Sequence, residues 1–338
     1  MGASLVPARV HRTHPILFSC VLAITVISLW CARHILHDAW TLATMPMIWP
    51  RHSKTFFLSA EVDGFDLTFA NYSTDQVSAA PFEDRVPPVL HHISLGSGAA
   101  EHSKWASVRQ SCIDIHPGWE AMIWTDETSD AFVAEHFPDL HDMWTTYRFP
   151  IQKVDALRYM VLYHYGGVIL DMDLQCKRAL GPLRRFEFVA PAAHPTGFSI
   201  GFMMASKRSE FVGKLVGNLR RYNKHWIWLP YPTVMFSTGC HYASTIHAFQ
   251  SNRSELKILA GTKENPKLHN LNGPVSTPIF NHLGSSSWHS FDAAMITSVG
   301  RHLSWLLPFF LMGGVGGAFC VIRRTRRRRT GKAEQWAF

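Results

Sequence analysis

The chain lacks the cysteine patterns of a disulfide-rich or zinc-binding protein. It has 6 cysteines among 338 residues, and none of them lies in a C-x-x-C pair or at the spacing of zinc ligands. Three lie in long apolar runs, and the other three, Cys112, Cys176 and Cys240, lie between those runs. At most one bridge can form among these three, and their positions leave the pairing open.

The chain also lacks a basic face, although its net charge of +8 invites a nucleic-acid interpretation. Residues 323–338 hold seven basic residues against Glu334, and Arg9 and Arg12 lie near the start. The remaining residues, 13–322, are therefore close to neutral. Because the charge belongs to the two ends, the sequence does not indicate a nucleic-acid partner. It has no internal repeats, and its one low-complexity run is the arginine tail.

Two long apolar runs are present. Residues 15–32 carry no charge, nor do residues 302–322 with His302 counted as neutral, and each run is long enough to cross a bilayer. The first could be a cleaved signal peptide, but Cys31-Ala32-Arg33 is a poor cleavage site, which favours an uncleaved anchor. The second could be a buried core helix, but its glycines at 313–317 and the arginines behind it favour a membrane span.

The positive-inside rule places both ends in the cytosol and residues 33–301 in a lumen. We therefore predict a multi-pass membrane protein with a lumenal folded domain. Sequons at Asn71 and Asn252 are compatible with a lumenal position. The predicted parts are a cytosolic tail (1–14), a signal anchor (15–32), a stem (33–85), a folded domain (86–300), a second membrane helix (302–322) and a basic cytosolic tail (323–338).

Between residues 86 and 175, short apolar strands alternate with helices of about ten residues. Strands are predicted at 89–95, at 119–124 and before Asp171, with helices between them. This alternation predicts an α/β fold with a mixed, mostly parallel sheet and flanking helices. Ligands bind beyond the carboxyl ends of the strands in such sheets, so we expect the residues that follow each strand to share one site.

The most informative stretch is 153–174, KVDALRYMVLYHYGGVILDMDL. It predicts a helix, a tight turn at Gly166-Gly167, a buried strand, and then Asp171 and Asp173. Carboxylates at the end of a buried strand are costly unless a cation neutralises them. Oxygen ligands suit Mg²⁺ or Mn²⁺, so the sequence predicts a divalent-metal site.

One face of the helix in this stretch carries polar groups. Asp155, Arg158 and Tyr159 are spaced i, i+3 and i+4. The first two could pair simply to support the helix. Alternatively they contact a polar ligand and steady the loop at Asp171, and the sequence leaves both interpretations open.

The stretch reads K-x-D-x-x-R-Y and then Y-x-Y-G-G-x-x-x-D-x-D, with His91-His92-Ile93 about 80 residues upstream. This arrangement resembles the glycosyltransferase family with a DXD sugar-binding motif, over roughly residues 85–295. Residues 229–239 (LPYPTVMFSTG) and 281–293 (NHLGSSSWHSFDA) resemble segments of its inositol phosphoceramide mannosyltransferase group. A membrane span after the second segment also fits that group.

The resemblance implies a GT-A type fold and a retaining transfer of mannose from GDP-mannose to inositol phosphoceramide, in a Golgi or endoplasmic reticulum membrane. It also leaves room for a regulatory membrane subunit. Mn²⁺ (or Mg²⁺) held by Asp171 and Asp173 would stabilise the leaving diphosphate. His282 is the expected third ligand, with His289 as the weaker candidate.

The resemblance and the strand ends together give a set of expected site residues. Asp171, Asp173, Asp155 and Arg158 are expected at the reacting centre. The expected donor-binding residues are His91, His92, Ile93, Trp124, Thr125, Asp126, Tyr159, Gly166, Gly167 and Trp288.

The chain departs from the group's pattern in two places. Ser199-Ile200-Gly201 stands where relatives carry Ser-Asn-Asp, and Cys240 stands where they carry proline. Both departures bear on donor and acceptor preference. Two alternatives therefore stay open: an α-1,6-mannosyltransferase acting on N-glycans, and a non-catalytic regulatory membrane subunit with the same fold.

Overall fold

The computed structural model describes residues 15–72, 77–78, 81–96, 99–193, 196–226, 228–284, 291–296 and 298. The chain divides into one unit of Met1–Trp228 with Pro232–Ser286, and a second of Leu229–Tyr231 with Ser287–Phe338. In the second unit the Tyr231 amide donates to Asp292 Oδ2 over 2.7 Å. The predicted second membrane helix, the basic tail, Trp288 and His289 lie outside the described residues.

The first unit combines helices with two β-sheets. Its helices are α1 (Pro15–Ile48), α2 (Ser53–Phe56), α3 (Ala60–Asp63), α4 (Ala99–Ile115), α5 (Asp126–His136), α6 (Pro138–Thr145), α7 (Pro150–Tyr165), α8 (Glu210–Tyr222), α9 (Pro230–Ser237), whose first two residues belong to the second unit, and α10 (Cys240–Ala248). Its strands are β1 (Val89–Ile93), β2 (Glu120–Trp124), β3 (Gly167–Leu170), β4 (Leu174–Cys176), β5 (Phe188–Pro191), β6 (Phe202–Ala205), β7 (Leu256–Leu259), β8 (Val275–Ser276) and β9 (Phe280–His282).

The main sheet has the strand order β2-β1-β3-β6-β5-β7. β1 pairs in parallel with β2 and β3, and β5 pairs in parallel with β7, whereas β6 is antiparallel to both of its neighbours. A smaller antiparallel sheet has the order β4-β9-β8. The predicted α/β fold with a mixed, mostly parallel sheet is confirmed.

Both faces of the main sheet are covered, which explains why its strands are nearly continuous apolar runs. Successive residues of β3 alternate between two core clusters: Ile169 lies in one with α7 and α8, while Val168 and Leu170 lie in the other with α4 and β4. All four residues of β3 are buried. This packing fixes the strand that delivers Asp171.

A disulfide joins Cys112 on α4 to Cys176 on β4, and Cys240 is free. The sequence allowed one bridge and left its partners open. The bridge ties α4 to a strand that begins directly after Asp173, so it fixes the chain just beyond the D-x-D segment.

The predicted stem, 33–85, is not a separate element. Helix α1 continues to Ile48, and Phe56, Phe65 and Phe69 are buried in the core clusters. The Leu58 amide also donates to the Ile258 carbonyl at the sheet edge, over 2.9 Å. The sequence did not show this packing because the aromatic residues of 33–85 follow no helical or strand periodicity. Each of them nevertheless has a large apolar side chain that is stabilised by burial.

One described helix is long and apolar enough to cross a membrane. The stretch Ser19–Ile48 of α1 contains an 18-residue window of mean hydropathy 1.7, and none of that window is buried. A signal sequence passes the same test of length and composition. The predicted anchor, 15–32, lies in the first half of this helix.

Candidate active site

The turn between α7 and β3 requires its two glycines. Gly166 and Gly167 have φ angles of +71° and +97°, a region that side chains rarely allow. A Cβ on Gly166 would lie 2.6 Å from the Lys207 amide nitrogen, and one on Gly167 would lie 2.6 Å from the Val89 carbonyl oxygen. Their role in the structure is therefore to let the chain reverse tightly against β1 and bring α7 beside the end of β3.

Arg158 on α7 joins the two aspartates that the sequence placed on either side of the turn. Its Nη1 pairs with Asp171 Oδ1, and its Nε lies 3.6 Å from Asp155 Oδ1. Nη1 also donates to the Ile200 carbonyl over 3.0 Å. The pair of Asp155 and Arg158 therefore lies within α7, as expected for support of the helix. Arg158 also positions Asp171, which is part of the second interpretation, and contact with a ligand stays a prediction.

Asp155 is the most buried charged side chain of this network. Its side chain is 4% exposed, and its Oδ2 accepts a hydrogen bond from Thr238 Oγ1 over 3.1 Å. Burial raises the pKa of Asp155 to about 7, against the opposite influence of Arg158 and Thr238. Tyr159 is fully buried and donates to the Thr238 carbonyl over 2.5 Å. These contacts make both residues supports for the network.

Asp171 lies at the junction of β3 and β6, where its amide donates to the Gly201 carbonyl over 2.8 Å. A Cβ on Gly201 would lie 2.5 Å from Asp171 Oδ2, so this carboxylate occupies space that only glycine leaves open. Burial raises the pKa of Asp171, while the Arg158 charge acts in the opposite direction. The carboxylate side chain is 31% exposed and so remains accessible.

Asp173 lies where the chain passes into the small sheet. Its carbonyl accepts from the Leu283 amide over 3.0 Å, and its Oδ2 lies 3.4 Å from His282 Nε2 on β9. The other ring nitrogen, Nδ1, lies 2.8 Å from the Gly273 carbonyl, which can only accept a hydrogen bond. Nδ1 therefore carries a hydrogen, and Nε2 is directed at the carboxylate.

This geometry accommodates either a proton or a divalent cation. In a neutral His282 ring the Nε2 lone pair would face the Asp173 carboxylate, and such a pair requires a proton or a metal ion between or beside its atoms. Burial lowers the pKa of His282, but the hydrogen bond and charge of Asp173 outweigh it, so the net pKa is raised. Among the described residues, however, no three His, Cys, Asp or Glu side chains form a ready-made metal cluster.

Asp171 and Asp173 are thus the protein oxygens, and His282 the nitrogen, that would hold such an ion. A two-carboxylate set leaves coordination positions for phosphate oxygens, which is the usual arrangement for a metal that binds together with a nucleotide.

The structure places His91 and Trp124 in the core. His91 is 0% exposed, its Nε2 donates to the Gly166 carbonyl over 2.9 Å, and its Nδ1 accepts from the Trp124 indole over 3.3 Å. Burial lowers the pKa of His91 to about 4, so the ring is neutral. Both ring nitrogens are thus occupied, Nε2 at the glycine turn and Nδ1 at Trp124, and donor contact by either residue stays a prediction.

The neighbouring residues of β1 have different surroundings. Ile93 is part of the apolar core beneath the sheet. His92 is 1% exposed and points to the opposite face from His91, and within the described residues neither of its ring nitrogens has a hydrogen-bond partner. Burial and the nearby Arg109 charge lower the pKa of His92 to about 3. His92 is therefore the β1 residue with capacity left for a ligand.

Thr125 and Asp126 lie at the start of α5. Thr125 caps this helix by accepting from the Thr128 amide, and Asp126 Oδ2 accepts from the Gly96 amide over 2.8 Å. These contacts hold together the loops that follow β1 and β2, as expected for parallel strands. A donor contact remains a prediction.

The sequence missed two residues of the site, Gly201 and Thr238. Gly201 was noted only as a departure from a polar pattern, whereas the structure shows that it makes room for Asp171. Thr238 lies 83 positions from Asp155, so no local pattern could reveal their hydrogen bond. The motif S-T-G at 237–239 was the one available signal.

The comparisons with known proteins fit this geometry. Residues 102–189 match the model of the glycosyltransferase sugar-binding region containing the DXD motif. Inositol phosphoceramide mannosyltransferase 1 of Schizosaccharomyces pombe is 32% identical over 278 residues, covering 78% of this chain and 81% of that protein. The chain belongs to this glycosyltransferase family.

Two longer family members are also similar. Mannosyl phosphorylinositol ceramide synthase CSH1 of Saccharomyces cerevisiae is 34% identical over 68% of this chain, and the synthase SUR1 of the same yeast is 31% identical over 72%. The matched region spans 60% and 63% of their lengths. A solved structure, the PaToxG glycosyltransferase, matches 63% of this chain and 78% of its own at 15% identity, with a TM-score of 0.35.

Proposed function

We propose that the chain is a membrane-bound, metal-dependent mannosyltransferase of GT-A type, which transfers mannose from GDP-mannose to inositol phosphoceramide. The observation that carries the proposal is the pair Asp171 and Asp173 at the end of β3, the first held by Arg158 and the second facing His282. The family relatives, named for mannosyl transfer to inositol phosphoceramide, supply the donor sugar and the acceptor class.

A bound Mn²⁺ or Mg²⁺ would supply Lewis-acid stabilisation of the charge on the departing diphosphate. Contacts within the chain position the side chains that would hold the ion. Arg158 fixes one oxygen of Asp171, Gly201 leaves space for the other, and His282 is oriented through Gly273. A site assembled before the donor arrives avoids the cost of reorganisation during the reaction.

We infer retention of configuration, and therefore an α-mannoside product, from the family resemblance. In a same-face displacement the leaving phosphate accepts the proton of the attacking hydroxyl, so the mechanism requires no side-chain nucleophile. Asp155 is unsuited to that role, because its carboxylate is enclosed and already paired with Thr238 and Arg158.

We place the protein in a Golgi or endoplasmic reticulum membrane, with α1 as its anchor and the catalytic unit on the lumenal side. The length and apolar composition of α1 support this placement. A second membrane helix at 302–322, both termini in the cytosol and association with a regulatory membrane subunit are further parts of the proposal.

The test is transfer by microsomes that contain the full chain, with labelled GDP-mannose and either inositol phosphoceramide or a high-mannose glycan as acceptor. We expect label in the lipid product, dependence on added Mn²⁺ or Mg²⁺, and loss of both in Asp173→Asn. Transfer to the glycan alone would support the N-glycan alternative. Equal transfer by the wild type and Asp173→Asn would instead favour a non-catalytic subunit.

A further inference from the structure

A group of basic and aromatic side chains lies on α1, just past its apolar run, and on the segment 221–228 that contacts α1 there. We call it the collar, and it consists of Arg33, His37, Arg221, Lys224, His225 and Trp228. All six side chains are exposed. Trp228 is 87% exposed, although burying an indole is normally strongly favourable.

Two contacts hold the collar against α1. The Trp226 indole nitrogen donates to Asp38 Oδ2 over 3.0 Å, and the ring of Tyr222 lies 5.9 Å from that of His37. Asp38 is 6% exposed, so this junction is packed. Asp38 lies six residues beyond Ala32, the last residue of the predicted anchor, which corresponds to about 9 Å along a helix. Trp228 is two residues beyond Trp226, so its backbone lies within about 7 Å of this junction.

The collar carries positive charge that the protein does not neutralise. Within the described part of the chain, Arg33, Arg221 and Lys224 form no ion pair with a carboxylate. The buried carboxylate of Asp38 accepts from the Trp226 indole and lies 3.4 Å from His37. Exposed tryptophan together with unpaired Arg and Lys is the composition that favours the head-group region of a bilayer.

We propose that the collar is a second membrane contact, which seats the catalytic unit on the surface of the bilayer that holds α1. Trp228 lies among the lipid head groups, and Arg33, Arg221 and Lys224 contact the head-group phosphates. The proposal rests on α1 being embedded in the membrane, as proposed above.

The segment that carries Trp228 is connected to the active site through α9. The Trp226 amide donates to Thr233 Oγ1 on α9 over 3.0 Å, and the Trp226 ring stacks on Phe236 with centroids 5.3 Å apart. Thr238, which follows α9, holds Asp155. Thr233 and Thr238 are five residues apart, which is about 7.5 Å at the rise of a helix. The collar is therefore connected through α9 to the residue that holds Asp155.

The experiment uses the full chain in lipid nanodiscs, with the photoreactive residue p-benzoylphenylalanine at one position per variant. Position 228 tests the collar. Position 26, exposed in the apolar half of α1, reports whether the anchor is embedded, and position 62, exposed on α3, is the control for unspecific labelling. After illumination, mass spectrometry counts lipid adducts on each protein.

We expect lipid adducts at 26 and 228 and none above background at 62. Adducts at 26 alone would overturn the collar while leaving the anchor and the proposed activity intact. Equal labelling at 62 and 228 would also overturn it, because the contact would then be unspecific. An absence of adducts at position 26 would contradict both the embedded anchor and the membrane contact of the collar.

A second measurement tests whether the basic side chains of the collar contribute to the lipid contact. With phosphatidylserine in place of phosphatidylcholine, adducts at 228 should rise about fivefold, and the variant with Arg221→Glu and Lys224→Glu should lose this rise. Adducts at 26 should not change in either case. An unchanged response in the double variant would contradict the role of the two basic residues.

Discussion

The two aspartates of the D-x-D segment lie two residues apart and have different surroundings. Asp171 is held by Arg158 in a network that extends to Asp155 and Thr238, inside the main sheet and its helices. Asp173 faces His282 of the small sheet. The first carboxylate is thus partly exposed and tied to the framework by the buried Arg158, whereas the second is itself buried and faces a strand of the small sheet. Loss of the shared arginine should affect folding and activity, whereas an isosteric change at Asp173 should affect mainly activity.

The largest expected effect is that of Arg158→Met. It leaves Asp155 and Asp171 without their shared cation, so we expect the free energy of unfolding to fall by about 3–5 kcal/mol and transfer to be lost. Chemical denaturation of the purified protein in detergent measures the first effect.

Arg85→Met is the matched control, because Arg85 is 45% exposed and pairs with Glu187 and Glu255 at the surface. It should cost less than about 1 kcal/mol. If the two variants lost equal stability, the distinction between a buried network and surface pairs would be wrong.

Asp173→Asn should lower the transfer rate by about 10²- to 10⁴-fold, because it removes an ionised metal ligand that is worth several kcal/mol in the transition state. Since asparagine keeps the shape of the side chain, the free energy of unfolding should change by no more than about 1 kcal/mol. The melting temperature should rise with added Mn²⁺ in the wild type and not in the variant. A variant that kept the full Mn²⁺ response would argue against Asp173 as a ligand.

Gly201→Ala tests the space around Asp171. The new Cβ would lie 2.5 Å from Asp171 Oδ2, so the carboxylate must move, and a displacement of about 1 Å can cost about a hundredfold in rate. The transfer rate under saturating Mn²⁺ measures it.

Gly217→Ala on α8 is the control, because a Cβ there meets nothing within 4 Å. It should leave the rate unchanged and stabilise the helix by up to about 1 kcal/mol. A full rate in Gly201→Ala would show that Asp171 tolerates displacement.

His282→Gln should have the smallest effect of the series. A weakened metal contact or a misoriented Asp173 typically costs about tenfold to a hundredfold in metal affinity. The rate should therefore recover at high Mn²⁺, which a titration of the transfer rate against Mn²⁺ would show. A loss that no concentration of Mn²⁺ restores would assign His282 a role other than holding the metal.

The local sequence determined much of this protein. Turn glycines, a buried apolar strand and two following carboxylates are adjacent in the chain, so 153–174 predicted the helix, the turn and β3, and the metal site at its end stays a prediction. The resemblance carried by those residues led to the correct family. Alternating strands and helices likewise predicted a mostly parallel sheet, because that pattern depends on near neighbours.

Only the tertiary structure decided which residues support the aspartates. Thr238 meets Asp155, Gly201 meets Asp171 and His282 meets Asp173 across long separations in sequence, where no periodicity operates. The same holds for the aromatic residues of the predicted stem, which complete the core, and for the bridge between Cys112 and Cys176. A sequence pattern reports the preferences of neighbouring residues, whereas packing selects partners by shape and charge from the whole chain.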